Sequence, residues 1–518
     1  MIKSRAKVMH FMFRAKTVLR ATRTSILRPA INSSFIRFSS SNPSRPEDLP
    51  PAQTHSVQEG FAQGPIFVLN VAKRFIKFFI IGGVLLGFTT GLLFEGTHIW
   101  VENVEFALPQ DDEETRRWEW NLERENWTGD LEAAGTDPAL GIRGRHLVRA
   151  AWMAQHWGVD QSTVIVSSDS VKNDDGLLGP RGLVIIDPRL VRAENFLRDV
   201  ILIAEQKSIE GKLRPWTMTQ LLSLHASVLD RMGSESMINA KAQYERAWSA
   251  QPFIAPQSAR IALKLGDLNR RLGDDTGALA WLNRAIHVTQ SQSESSGVPP
   301  SMPSSPYAQR SLLYALSSLS AFYATTGKLT EAQSTAEASL DLIRSVRQPE
   351  SIASISPPHA LHALTLLQRS SVLAIHLAEV LYAQNKPTIV STQWLSTAAE
   401  SSERVIRVLT RSSLNTGTDR AFVTPANIIQ PSYLNDASLK RPATSLYRDS
   451  RRTAAEAWNL TGTLLENKDP KAALVAYEHA VHLAGSSEEH GKPADKTLKV
   501  DWEIIWGNYT RLKSKIRT

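Results

Sequence analysis

Phe78 to Phe94 (FFIIGGVLLGFTTGLLF) carries no charged side chain, and with Phe75 and Ile76 it gives about twenty mostly apolar positions, interrupted only by Lys77. A helix rising ~1.5 Å per residue needs roughly twenty such residues to cross a bilayer core. Its backbone groups then find partners within the segment, as lipid requires. Gly82, Gly83, Gly87 and Gly91 would weaken a soluble helix but are frequent in membrane helices. Gly83, Gly87 and Gly91 recur every fourth residue and share one face, a candidate packing face toward a neighbouring helix. No second run of this kind stands out, so the expectation is one span; the competing reading is a buried core helix. Lys73, Arg74 and Lys77 precede the run, whereas Glu95, Glu102, Glu105, Asp111, Asp112, Glu113 and Glu114 follow it. Basic flanks stay on the side where insertion began.

The net charge of +8 suggests nucleic acid until it is located. Residues 1–46 hold ten basic side chains and no acidic one, which leaves the remainder near −2. The basic character therefore belongs to the leader, and no nucleic-acid partner is expected. That leader is rich in arginine and serine. It spaces Val8, Met12, Ala15 and Leu19 helically and ends near Arg37-Phe38-Ser39-Ser40, the composition of a mitochondrial transit peptide. The sequence predicts residues 1–39 as a cleaved transit peptide, 40–72 as a disordered basic linker on the matrix side and 73–97 as the transmembrane helix. The carboxyl part would face the intermembrane space.

Residues 98–185 read as a tryptophan-rich, membrane-proximal helical region, with short strand-like runs at Val164–Val166 and Leu183–Ile186. Trp118, Trp120 and Trp127 have two readings: the packed cap of the first helical repeat, or candidate contacts to a partner, because Trp dominates interface energetics.

Residues 186–518 read as an α-solenoid of divergent tetratricopeptide-like repeats with Ser/Pro-rich insertions. Ile261–Val288 carries Gly266, Gly273, Ala278, Leu282 and Ala285: small residues where paired helices touch, a glycine at the turn, and a large residue four after the first alanine. Ala240, Tyr244 and Ala247 repeat the second half. Tyr323, Gly327, Ala332 and Ala336 repeat part of it. Trp458, Gly462, Ala473, Tyr477 and Ala480 form the strongest copy. One pair cannot bury its apolar face alone, so pairs must stack. The aromatics are expected between successive pairs, a degenerate pair is expected at Leu361–Gln384 with Trp394–Leu409, and Leu498–Ile516 should close the stack. The fold class expected is all-α.

Catalytic constellations are not found. The chain has no cysteine, which excludes disulfides, thiolate zinc sites and cysteine nucleophiles. It has no G-x-x-x-x-G-K-[ST] cradle, no H-E-x-x-H pair and no G-x-S-x-G elbow. No catalytic residue, cofactor or metal is expected, and the protein reads as a non-enzyme.

Residues 94–157 are distinctive: Phe94-Glu95-Gly96-Thr97, Trp118-Glu119-Trp120, Trp127-Thr128-Gly129, Gly135-Thr136-Asp137-Pro138-Ala139-Leu140-Gly141, Arg145-His146 and Ala151-Trp152. With the leader, the single span and the repeats, they resemble the fungal inner-membrane adaptor of the i-AAA protease. The resemblance implies a repeat domain that binds misfolded or unassembled proteins and presents them to that protease. The partners expected are the AAA protease, other subunits of its complex, unfolded clients and the membrane. The alternative is a scaffold or assembly factor for a respiratory or import complex.

Overall fold

The computed structural model describes residues 60–108, 111–130, 133–157, 164–167, 183–290, 301–347, 355–410, 429–485, 493 and 498–517. The leader, most of the linker and the cores of the Ser/Pro-rich insertions expected at Gln290–Pro306, Gln348–Pro358 and Ser412–Pro442 lie outside them. The described residues divide into two compact units, one ending at Val101 and one beginning at Glu102.

The first unit is helix α1, Gly60–Trp100. It starts inside the stretch expected as linker, because the apolar positions from Ile66 onward continue the helical run upstream of Lys73. From Phe75 to Phe94 every side chain is exposed. The hydroxyls of Thr89 and Thr90 donate back to the Leu86 carbonyl at 3.0 and 2.7 Å, so neither needs a partner outside the helix.

A π turn, Val101–Glu105, spans the boundary, and the second unit continues with the single-turn helix α2, Glu113–Arg117. Two short 3-10 turns follow, and then helix α3, Gly141–Trp157. The described part of the region read as helical is therefore mainly helical, in one long helix and several single turns joined by irregular chain, with one strand pair as its exception. Strands β1 (Val164–Ser167) and β2 (Leu183–Ile186) pair antiparallel, with Val164 opposite Ile186, where the sequence placed its two strand-like runs.

Helix pairs then stack in chain order. They are α4 (Pro188–Ile209), packed on α3; α5 (Thr217–Met232) with α6 (Met237–Ser249); α7 (Ser258–Arg271) with α8 (Asp275–Gln290); α9 (Pro306–Thr325) with α10 (Leu329–Ser345); and α11 (Pro357–Ala383) with α12 (Thr388–Thr410). After the one-turn α13 (Pro431–Leu434) come α14 (Ala437–Leu465) with α15 (Pro470–Ala484), and then α16 (Lys499–Arg517). Each helix packs on its chain neighbours, as a one-dimensional stack requires. Asp187-Pro188, Ser305-Pro306, Ser356-Pro357 and Asp469-Pro470 mark four of the helix starts: a short polar cap, then proline where no amide donor is needed.

The repeat residues behave as one set. Ala240, Ala247, Ala278, Ala285, Ala332, Ala336, Ala473, Tyr477 and Ala480 are fully buried, and Tyr244 nearly so. A Cβ on Gly266 would meet Leu282 at 2.9 Å, and one on Gly462 would meet the Tyr477 ring at 2.7 Å. The large residue therefore fills the gap inside its own pair, against the small residue of the first helix, and not the groove between pairs as expected. Gly273 and Gly327 hold left-handed turns at φ +81° and +80°. In the degenerate pair, Asn385 takes that conformation at φ 61°, and buried Ser391, Leu395 and Ala398 occupy the small–large–small positions. Trp458 lies half-buried between two core clusters, its indole donating to Glu403 at 2.7 Å. Helix α16 closes the end with Trp502, Ile505, Tyr509 and Leu512 buried. On its exposed side Arg511 pairs with Glu466.

Candidate interaction surface

Call the first helix of each pair the A helix. Residues 111–130 and 133–137 form a strap that crosses the amino ends of the A helices, and its chain direction runs backwards through the stack. Asp111 accepts from the Ser438 hydroxyl at 2.6 Å at the start of α14, where the Thr115 hydroxyl also donates to Asp436 at 2.9 Å. Glu114 accepts from the capping Ser356 at 2.9 Å ahead of α11. Glu119 accepts from Ser305 and from the Tyr307 amide at the start of α9. Asp137 accepts from the Arg214 amide at 2.8 Å and the Thr217 hydroxyl at 2.6 Å at α5. Four helix amino ends thus each hold one strap carboxylate, where the peptide dipoles favour negative charge. The composition suits this, because residues 111–130 carry eight acidic side chains against three basic ones.

Arg310 is the hub. Only 1% exposed, it donates Nε to Glu123, Nη1 to the Trp118 carbonyl at 3.1 Å and Nη2 to the Glu119 carbonyl at 3.1 Å. Its guanidinium lies over the Trp120 ring, 3.9 Å from the centroid, a cation–π contact away from water. Nη1 also reaches His362 Nδ1 at 3.1 Å, while His362 Nε2 meets Gln309 Oε1 at 3.0 Å. Arginine has no acceptor, so Nδ1 must be the bare nitrogen and Nε2 the donor. Burial, then Arg310, then His359 push the His362 pKa down to about 3. Nearer α7, burial raises the pKa of Glu125, but Arg441, Arg260 and Arg231 outweigh it and hold that carboxyl low.

The tryptophans follow from this path. Trp120 is 1% exposed, donates its indole N–H to the Pro358 carbonyl at 2.9 Å and sits in the core beside Leu361, Leu364 and Leu439. Trp118 stacks on His359, centroids 4.1 Å apart. Trp127 is buried against Phe106, which in turn meets Trp152 of α3. Trp120 and Trp127 are therefore not free to meet a partner, and Trp118 and Trp120 cap late pairs of the stack, not the first one. The physical reason is that each indole finds an apolar wall within its own chain. Gly83, Gly87 and Gly91 lie the other way: nothing comes within 4 Å of a Cβ added at any of them. Among the described residues no group of three or more His, Asp or Glu side chains is arranged to hold a metal ion.

No protein-family model matches the chain, and no curated protein matches it. Among solved structures, BtubC (BKLC) from P. vanneervenii is 17% identical and covers 42% of this chain and 74% of its own, at a TM-score of 0.31. A human IFIT1 dimer with PPP-AAAA is 15% identical, covering 76% of this chain and all of its own, at a TM-score of 0.16. Likenesses this slight carry no argument, and the fold assignment rests on the helix stack itself.

Proposed function

We propose that the protein is a non-enzymatic, membrane-anchored adaptor whose helical repeats hold other polypeptides. The observation that carries this is the contrast within one chain: α1 is apolar, long enough to span and unburied, while the rest folds into a repeat stack with helix-lined surface. In the reading that the leader and residues 94–157 support, α1 crosses the mitochondrial inner membrane with its amino side in the matrix. The stack then holds misfolded or unassembled proteins in the intermembrane space and presents them to the i-AAA protease. The strap narrows where clients sit. It already covers the amino ends of α5, α9, α11 and α14, so clients take surface outside it.

The test is a deletion strain with protease-accessibility mapping. Mitochondria with ruptured outer membranes should lose the carboxyl part to added protease, the AAA protease should co-purify with the chain, and client turnover should slow on deletion. Normal turnover with lost assembly of a respiratory or import complex would replace the adaptor reading with the scaffold one.

A further inference from the structure

Single exposed apolar side chains are ordinary on a soluble surface; a cluster is not. In the unit beginning at Glu102, Val104, Leu108, Ile142, Ile209, Phe253 and Ile254 are all exposed, Ile142 at 80% and Ile209 at 90%. They lie in, or within two residues of, loops that meet at one end of the stack. Glu102, the first residue after the π turn begins, accepts from the Thr136 amide at 2.9 Å and from Arg145 at 2.7 Å. Gly135 accepts from Arg214 at 3.1 Å, and Asp137 binds the Arg214 amide. Two residues on, Trp216 packs edge-to-face on Phe253 with centroids 5.2 Å apart. Ile142 opens α3 just after Leu140, beside exposed Arg143, and Ile209 ends α4 ahead of the same loop as Trp216. A short chain of contacts thus joins the apolar cluster to the point where the backbone arrives from α1, only two residues beyond Trp100.

We propose that this end of the repeat stack lies on the lipid surface, with Phe253 and Ile254 entering the interface and Arg143 meeting headgroup phosphates. The proposal rests on the reading of α1 as a membrane span. Three features favour lipid over a protein occupant: the covalent continuity with α1, the spread of the apolar residues over four separate loops, and the aromatic contact of Trp216 with Phe253. Such side chains suit the boundary of a bilayer. An unfolded segment would ask instead for a continuous groove.

The chain has no native cysteine, so single labels can be read without background. Phe253→Cys, Ile254→Cys, Leu86→Cys within the span and Ile389→Cys at the far-end start of α12 are each spin-labelled in the full chain. Each is reconstituted in vesicles of phosphatidylcholine with anionic phosphatidylglycerol. The expected result is a several-fold higher ratio of oxygen to aqueous-nickel accessibility at 253 and 254 than at 389, approaching that at 86. Water-like labels at both 253 and 254, with 86 reading lipid, overturn the proposal and leave the span intact. Water-like labels at 86 as well would remove the span itself. If the labels at 253 and 254 are shielded only after an unfolded polypeptide is added, the patch belongs to a protein client and the lipid assignment is wrong.

Discussion

Among the described residues two helices are long and apolar enough to cross a membrane, α1 and α11, yet their surroundings are opposite. None of the most apolar stretch of α1 is buried, whereas 78% of that of α11 is. Length and apolarity alone therefore do not tell a span from a core helix. What separates them is that α11, whose Thr365, Ser370 and Ser371 hydroxyls also bond to their own helix, sends further polar side chains into its neighbours. Thr89 and Thr90 of α1 bond to their own helix. On α11, His362 bonds to Arg310 and Gln309 of α9, and Gln368 donates to Thr453 of α14 at 3.2 Å. A helix whose polar groups are satisfied internally suits lipid; one whose polar groups point into neighbours is positioned by them.

The largest expected effect follows from Arg310, which ties α11 to the strap. Arg310→Ala leaves Glu123 without its buried cation, strips two strap carbonyls of donors and uncovers the Trp120 ring. Removing one partner of a buried pair typically costs about 3–5 kcal/mol. Chemical denaturation followed by tryptophan fluorescence should show that loss, while Leu86→Ala in exposed α1 should move the same transition by less than about 0.5 kcal/mol. A loss below about 1 kcal/mol at Arg310 would mean that the strap is anchored elsewhere.

The contrast also marks what the sequence could reveal. The stack was legible because its signals are local: Ala278, Leu282 and Ala285 sit on one face within two turns, and Gly273 closes the same hairpin. The pair of α11 and α12 was legible only as a degenerate copy, because at Ser391, Leu395 and Ala398 serine does the packing of alanine and Asn385 stands in for the turn glycine. The strap was illegible for a different reason. Thr115 meets a residue 321 positions away, and Trp120 one 238 positions away, and no periodicity records such pairings. Sequence proximity pointed the tryptophans at the first repeat, whereas carboxylates seated on successive helix ends carry Trp118 and Trp120 to the last ones. The apolarity of α11 was hidden by its histidines, glutamine and arginine, which interrupt the run.

Glycines sharpen the comparison at smaller scale. Gly462 is backed by Tyr477, whose ring is fully buried and whose hydroxyl is held by Glu466 at 3.1 Å. Gly462→Ala drives a methyl group to 2.7 Å from that ring, and overpacking of this kind costs about 1–3 kcal/mol. The gain in helix propensity, up to about 1 kcal/mol, offsets only part of it, so the variant should melt at lower temperature. Gly87→Leu meets nothing within the chain and should leave that transition in place. If Gly83, Gly87 and Gly91 face another helix in the membrane, co-isolation of membrane partners falls instead; unchanged co-isolation would assign the glycines to no contact.

The smallest effect per step is a proton. His362 is folded in its neutral form, with a pKa pushed down to about 3, against about 6.5 in an unfolded chain. Above pH 6.5 both states are neutral and the stabilisation is complete. As pH falls below 6.5 the unfolded chain takes up the proton first, and stability drops by up to about 1.4 kcal/mol per pH unit until the folded imidazole titrates near 3. His362→Gln keeps an acceptor for Arg310 and a donor for Gln309 but cannot be protonated. Asp111, raised chiefly by burial, and Glu125 titrate in both proteins and cancel in the difference. From pH 6.5 to 5 the wild-type protein should therefore lose about 1.6 kcal/mol more than His362→Gln, read from denaturation midpoints at each pH. Parallel loss would show that Arg310 tolerates a charged imidazole beside it, and the link between α11 and the strap would then run through Trp120 and Glu114.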